Sequence, residues 1–142
     1  MMIKNFLMCN YNIKNIEYYI IMNDKKLEEP EIKSSKDLFN LILENKILVA
    51  KFSASWCGPC QSKKFKELYS NFKKNMNNIK FIEFDVDEDD DIINDKKYYD
   101  IKVNSVPYFL LAFNNNFVKE YSGTSCLEEI KNDINTLSNK KK

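Results

Sequence analysis

Histidine and arginine are both missing from this 142-residue chain. Without histidine it lacks the commonest general base near neutral pH and the commonest neutral metal ligand. Without arginine it has no planar fork for bidentate capture of phosphate or carboxylate, since every basic residue is lysine. Glycine occurs only at Gly58 and Gly123, too few and too far apart for a glycine-rich phosphate loop. No apolar run approaches the length of a membrane span. The net charge of +1 gives no electrostatic reason to expect nucleic acid as a partner.

What is present is a hydrophobic content of 44% beside 30% charged residues, the balance of a globular domain with a core rather than a disordered chain. There are four cysteines, at positions 9, 57, 60 and 126. Cys57 and Cys60 form a C-x-x-C pair, whereas Cys9 and Cys126 are isolated. Structural zinc sites usually bring a second close pair, and stapled secreted folds are shorter and richer in cysteine. A redox pair fits best, with half a zinc site as the competing reading. Cys126 reads as a small helix-start residue or a regulatory thiol, and Cys9 as a free thiol.

Residues 1–30 read as an N-terminal extension, flexible or a targeting segment, and 31–139 as one folded domain. The opening residues have two lysines and no acid before Glu17, but Phe6-Leu7-Met8 is too short for a secretory core. The expectation is a cytoplasmic protein, with organelle import through the extension as the alternative. Within the domain, Ile32-Lys33-Ser34 predicts a short edge strand and Ser34 or Ser35 a helix cap. Ile47 to Ser53 predicts a buried strand interrupted by Lys51. Phe65, Leu68, Tyr69, Phe72 and Met76 make one helical stripe running on from the cysteine pair. Strands at 79–86 and 106–113, a helix from the acidic run at 87–91 to about Tyr99, an Asn turn, a hairpin strand at 117–122 and a terminal helix complete the pattern. Alternating strands and helices closed by a hairpin predict an α/β fold: a single mixed sheet of about five strands flanked by helices on both faces.

The cysteine pair falls at a strand-to-helix junction. There, unpaired backbone N–H groups and the helix dipole favour a thiolate at Cys57, the attacking nucleophile. Cys60, one turn further on, is placed to resolve the mixed disulfide. Pro59 suits an early helix position, where its missing N–H costs nothing, and Trp56 offers a flat apolar wall beside the sulfur.

Trp56-Cys57-Gly58-Pro59-Cys60 is identical to the active-site motif of the thioredoxin family, and the element order from about Ile32 to Leu137 resembles that family too. Phe52 to Cys57 also resembles tryparedoxin and nucleoredoxin, which carry a longer insertion before their cis-proline. The resemblance implies the thioredoxin fold and a protein-disulfide reductase that needs no cofactor or metal beyond its redox-active Cys57–Cys60 disulfide. It implies that Val106-Pro107 is the cis-proline segment, with the Val106 backbone pairing with substrate. Trp56, Gly58, Pro59, Pro107 and Gly123 would line the groove. The implied partners are protein disulfides and a thioredoxin reductase as electron donor, acting on a monomer with no nucleic-acid or membrane partner. A non-catalytic binding module and a specialised electron donor are the rival functions.

One departure concerns charge. The family usually buries an acid six residues before the first cysteine, paired with a lysine on the next strand; here Lys51 and Glu83 stand exchanged. The expectation is that Glu83, with a raised pKa, takes over proton transfer for Cys60 while Lys51 holds it. The alternative is that both side chains reach the surface and do nothing catalytic. Phe65 replaces a helix-kinking proline, which predicts a straighter active-site helix.

Overall fold

The computed structural model describes residues 31–139; the expectations placed on the N-terminal extension and on Cys9 lie outside them. The elements are α1 (Ser35–Glu44), β1 (Ile47–Ser53), α2 (Gly58–Gln61), α3 (Lys63–Lys74), β2 (Lys80–Asp85), α4 (Asp90–Asn94), β3 (Tyr108–Phe113), β4 (Asn116–Ser122) and α5 (Leu127–Asn139). The sheet runs β2-β1-β3-β4, with β1 parallel to β2 and the other two pairings antiparallel.

The period of two along each strand divides the core into two layers. Leu48, Ala50 and Phe52 of β1 face Leu38 and Ile42 of α1 and Ile92 and Ile93 of α4. Ile47 and Val49 face Phe65, Tyr69 and Phe72 of α3 and Ile130 and Ile134 of α5. Because β1 is covered on both faces and paired on both edges, it reads as a continuous apolar run instead of an alternating one. Each large side chain buried here contributes about 1.5–3 kcal/mol.

The mixed sheet flanked by helices agrees with the sequence expectation, with four strands among the described residues where about five were expected. Ile32-Lys33-Ser34 is not a strand, because α1 takes up its polar groups. The Ser34 side chain accepts from the Asp37 N–H at 3.2 Å, and the Lys33 N–H donates to the Asp37 carboxylate at 2.9 Å. α4 stops at Asn94, well short of Tyr99, where the Asp95 carboxylate accepts from both the Ser35 hydroxyl and the Lys97 N–H. β3 starts at Tyr108, after the cis peptide bond between Val106 and Pro107. Asn114 (φ 51°) and Asn115 (φ 74°) are left-handed at both central positions of the β3–β4 turn, the hairpin geometry whose twist matches the flanking strands.

The predicted single helix after the motif is two helices. Ser62 leaves helical conformation (φ −64°, ψ 140°) and its hydroxyl accepts from the Phe65 N–H at 3.1 Å, so it caps α3. The break needs no proline, and the expectation of a straighter helix fails.

β4, the edge strand, is tied to α5 through Asp133. Its carboxylate accepts from the buried Tyr121 hydroxyl at 2.8 Å and pairs with Lys119 at 2.8 Å, and Lys119 also reaches Glu129 at 2.9 Å. Hydrogen bonds from Lys119 and Tyr121 hold the Asp133 carboxyl below the usual carboxylate range. A depressed folded-state pKa stabilises above the ordinary carboxylate pKa and loses that stabilisation as pH falls through the folded value. Asp133→Asn is expected to lower neutral-pH stability by about 0.5–1 kcal/mol. Thermal unfolding followed across pH should show the two proteins converging in acid.

Candidate active site

The chain leaves β1 at Ser53, turns through buried Ala54, and enters α2 at Gly58. Two bonds set the turn: the Cys57 N–H donates to the Ala54 carbonyl at 3.1 Å, and the Gln61 side-chain amide donates to the same oxygen at 2.9 Å. Cys57 is thereby the N-cap of α2, and the Cys60 N–H donates to its Sγ at 3.2 Å. Pro59 sits in the first turn of α2, where it removes a donor that has no intrahelical partner.

Cys57 and Cys60 form a disulfide with a Cα–Cα distance of 5.3 Å. They pack with Ala54 over Val86 and Val106, and Cys60 is the deeper of the two, 1% exposed against 4% for Cys57. Cys57 Sγ lies 3.6 Å from the Val106 carbonyl oxygen. Pro107 is fully buried behind it, and the Gly123 N–H donates to the Pro107 carbonyl at 2.9 Å. Gly123 takes φ 91°, a backbone region that a Cβ would strain even though open space surrounds it. Three separated stretches (56–60, 106–107 and 123) therefore meet around one sulfur pair.

Trp56 is 68% exposed, yet its indole N–H donates to the Asp87 carboxylate at 2.7 Å, which fixes the ring beside the cysteines. Asp87 was not singled out by sequence reasoning, because nothing local distinguishes it from its acidic neighbours. Two acids of this turn, Asp85 and Asp89, serve the local backbone. Asp85 accepts from the N–H groups of Asp87 and Glu88, and Asp89 accepts from the Asp85 N–H at 2.8 Å. The bonds from Glu88 and Asp87 lower the Asp85 pKa.

Lys51 and Glu83 are register partners on β1 and β2, and their charges meet at 3.4 Å. Lys51 is buried, with its ammonium 4.8 Å from the Tyr69 ring centre and 5.3 Å from that of Phe65, within range for cation–π attraction. Glu83 is half-exposed and also pairs with Lys73 at 3.2 Å. The raised Glu83 pKa expected from the sequence is corrected by this arrangement. Burial pushes the carboxyl up, but Lys51 and then Lys73 outweigh it and the pKa is lowered. The sequence pattern pointed to Lys51 alone as partner; Lys73, ten residues before Glu83 on α3, is brought in by tertiary packing.

The pairing is asymmetric. Removing the Lys51 charge leaves Glu83 in water with Lys73, whereas removing the Glu83 charge leaves a buried ammonium with rings alone. Glu83→Gln is expected to destabilise by about 1–2 kcal/mol, discounted for the exposed carboxylate, and Lys51→Met by less. With a depressed pKa, the Glu83 contribution is present above the ordinary carboxylate pKa and fades as pH falls through the folded value. Denaturant midpoints at neutral and acid pH would show that order and its loss.

Cys126 is a buried free thiol 3.4 Å from the Gly123 carbonyl. Burial, with a smaller push from Glu129, raises its pKa to about 11. In reduced native protein at pH 7, iodoacetamide is expected to alkylate Cys57 and to spare Cys126 until the chain unfolds, as peptide mass spectrometry would read.

The fold and the cysteine pair together define an α/β domain of the kind that carries out thiol–disulfide exchange at a strand-to-helix junction. Comparison with known proteins names the family. The thioredoxin family model matches residues 30–136. Thioredoxin from Oryctolagus cuniculus is 35% identical over 106 residues, covering 72% of this chain and 93% of the relative. Oxidised thioredoxin from Plasmodium falciparum superposes with a TM-score of 0.58 at 26% identity, covering 72% of this chain and 94% of that one. A structure solved for the thiol-resolving mechanism in yeast mitochondrial 1-Cys peroxiredoxin via glutathione/thioredoxin systems matches with a TM-score of 0.57 at 27% identity, covering 69% and 88%. The chain belongs to the thioredoxin family, and it is a thiol–disulfide oxidoreductase acting on protein disulfides.

Proposed function

We propose that Cys57 is the attacking thiolate and Cys60 the resolving thiol of a dithiol reductase. The observation that carries this is the Cys60 N–H aimed at Cys57 Sγ from the first turn of α2: it stabilises negative charge on Cys57 and supplies none to Cys60. In the reduced protein the Cys57 thiolate attacks one sulfur of a target disulfide. The target S–S bond breaks, its other sulfur leaves as a thiolate that takes a proton from water, and a mixed disulfide forms. Cys60 then gives its proton to water and attacks Cys57 Sγ. The mixed disulfide breaks, the Cys57–Cys60 bond forms, and the target leaves reduced by two electrons.

Trp56, Gly58, Pro59, Pro107 and Gly123 shape the groove in this reading. The Val106 backbone, beside Cys57 Sγ, takes an extended target segment by strand-like hydrogen bonding. Glu83 acts as an ionised anchor for Lys51 and stores no proton, and Lys51 is a positioning residue under α3. The protein works as a monomer, and a thioredoxin reductase returns two electrons to the disulfide. A peroxiredoxin is a reasonable target class, because the similar yeast structure concerns how a 1-Cys peroxiredoxin thiol is resolved.

Cys57→Ser is expected to reduce insulin disulfides at the background rate. Cys60→Ser should instead accumulate a mixed disulfide with its target through Cys57, visible on non-reducing gels and released by dithiothreitol. Trapping by the Cys57→Ser variant would reverse the assigned roles, and no trapping by the Cys60→Ser variant would remove them.

A further inference from the structure

The first turn of α3 breaks a local rule. Lys63, Lys64 and Lys66 stand at the positive end of the helix dipole, no acid lies in that turn, and Glu67 is the single acid in the helix. All three lysines are exposed, and among the described residues none forms an ion pair. A violated helix rule with no compensating partner in the fold is the pattern seen where a surface serves something outside it.

Lys64 lines a groove of about 370 Å³ together with Pro59, Ser62, Phe65, Leu68, Thr124 and Ser125, and Lys63 and Lys66 share its helical turn. One wall begins at Pro59, next to Cys60, and the other follows directly on Gly123, so the groove continues the cleft around the disulfide. Its floor is apolar, and Leu68 is 47% exposed, a large aliphatic side chain left open beside a reactive centre. On the far side of Trp56 the charge reverses: Asp87 holds the indole, and Glu88, Asp90 and Asp91 are exposed. The site thus lies between a basic bank carrying an apolar notch and an acidic bank.

We propose that the α3 bank is a docking surface for an acidic polypeptide segment flanking the target cysteine, with an apolar side chain of that segment seated on Leu68 and Phe65. The proposal rests on the reductase reading and adds the class of substrate. It commits to protein acids because the groove opens from the disulfide cleft, where the target chain already lies extended. The opposed acidic bank makes the preference directional, so acids are favoured on one side of the cysteine and disfavoured on the other.

The test uses the full chain, reduced beforehand, and three synthetic disulfide-linked peptides of equal length. Two carry a Leu-Glu-Glu segment, one before and one after the cysteine; the third carries Leu-Gln-Gln. Second-order rate constants are read by stopped-flow from Trp56 fluorescence. One glutamate isomer should react about tenfold faster than the glutamine peptide at low ionic strength. That advantage should shrink toward unity as salt rises. It should vanish in the Lys63→Glu, Lys64→Glu, Lys66→Glu variant and fall part-way in Lys64→Gln. The salt titration needs no variant and so stands even if the triple reversal folds poorly. The proposal is overturned if neither isomer outpaces the glutamine peptide, or if the advantage survives both salt and charge reversal. Failure to reduce even the glutamine peptide would instead remove the reductase reading, and the proposal with it.

Discussion

The contact on which the site depends is the 3.2 Å hydrogen bond from the Cys60 N–H to Cys57 Sγ. It exists because a helix begins at Gly58, and its first-turn N–H groups have no intrahelical acceptor. One of those donors meets sulfur here, where other helices offer a hydroxyl or carboxylate. The rest of the domain keeps that helix start in place. β1, paired on both edges and covered on both faces, delivers Ala54 to a fixed point, and the Ala54 carbonyl then holds Cys57 and Gln61 together. A looser strand would let the turn open and Cys57 Sγ lose its donor.

Ser62 extends the same logic. By breaking the helix it keeps α2 to a single turn, so the cysteine pair sits on a short segment set apart from the long aromatic face of α3. Phe65, Tyr69 and Phe72 can then pack on β1, β2 and β3 without dictating where the sulfurs lie. The same aromatic layer accommodates Lys51. A buried ammonium is costly alone, and here Glu83 and two ring faces offset that cost. The position that the family usually gives to a buried acid thus carries a buried cation, held by Glu83 and two rings.

The site's surroundings divide by charge. Trp56 is the boundary, anchored through Asp87 to the acidic run, while the lysines at the start of α3 form no ion pair among the described residues. Within the acidic run Asp87 holds the Trp56 indole and Asp89 accepts from the Asp85 N–H. Recognition is assigned to the lysine bank because Lys64 lines the groove beside the exposed Leu68.

By itself the sequence determined the class of fold and the redox pair. These follow from short-range facts: period-two and helical spacings, a strand running into Cys57, and a proline two residues later. The turn at Asn114-Asn115 was equally legible, because asparagine tolerates positive φ. Tertiary structure decided everything that depends on a remote partner. Ile32 to Ser34 looked like a strand, but a strand needs a neighbour, and the α1 cap took its polar groups first. Glu83 looked poised to hold a proton, yet Lys51 and then Lys73, which arrives from α3, outweigh its burial and lower its pKa. Asp87 became the Trp56 anchor once β2 was laid beside β1, and the Val106 carbonyl came to 3.6 Å from Cys57 Sγ once β3 was laid on its other edge. A residue's spacing along the chain sets its local conformation, whereas its charge state and contacts are set by groups the fold brings from elsewhere.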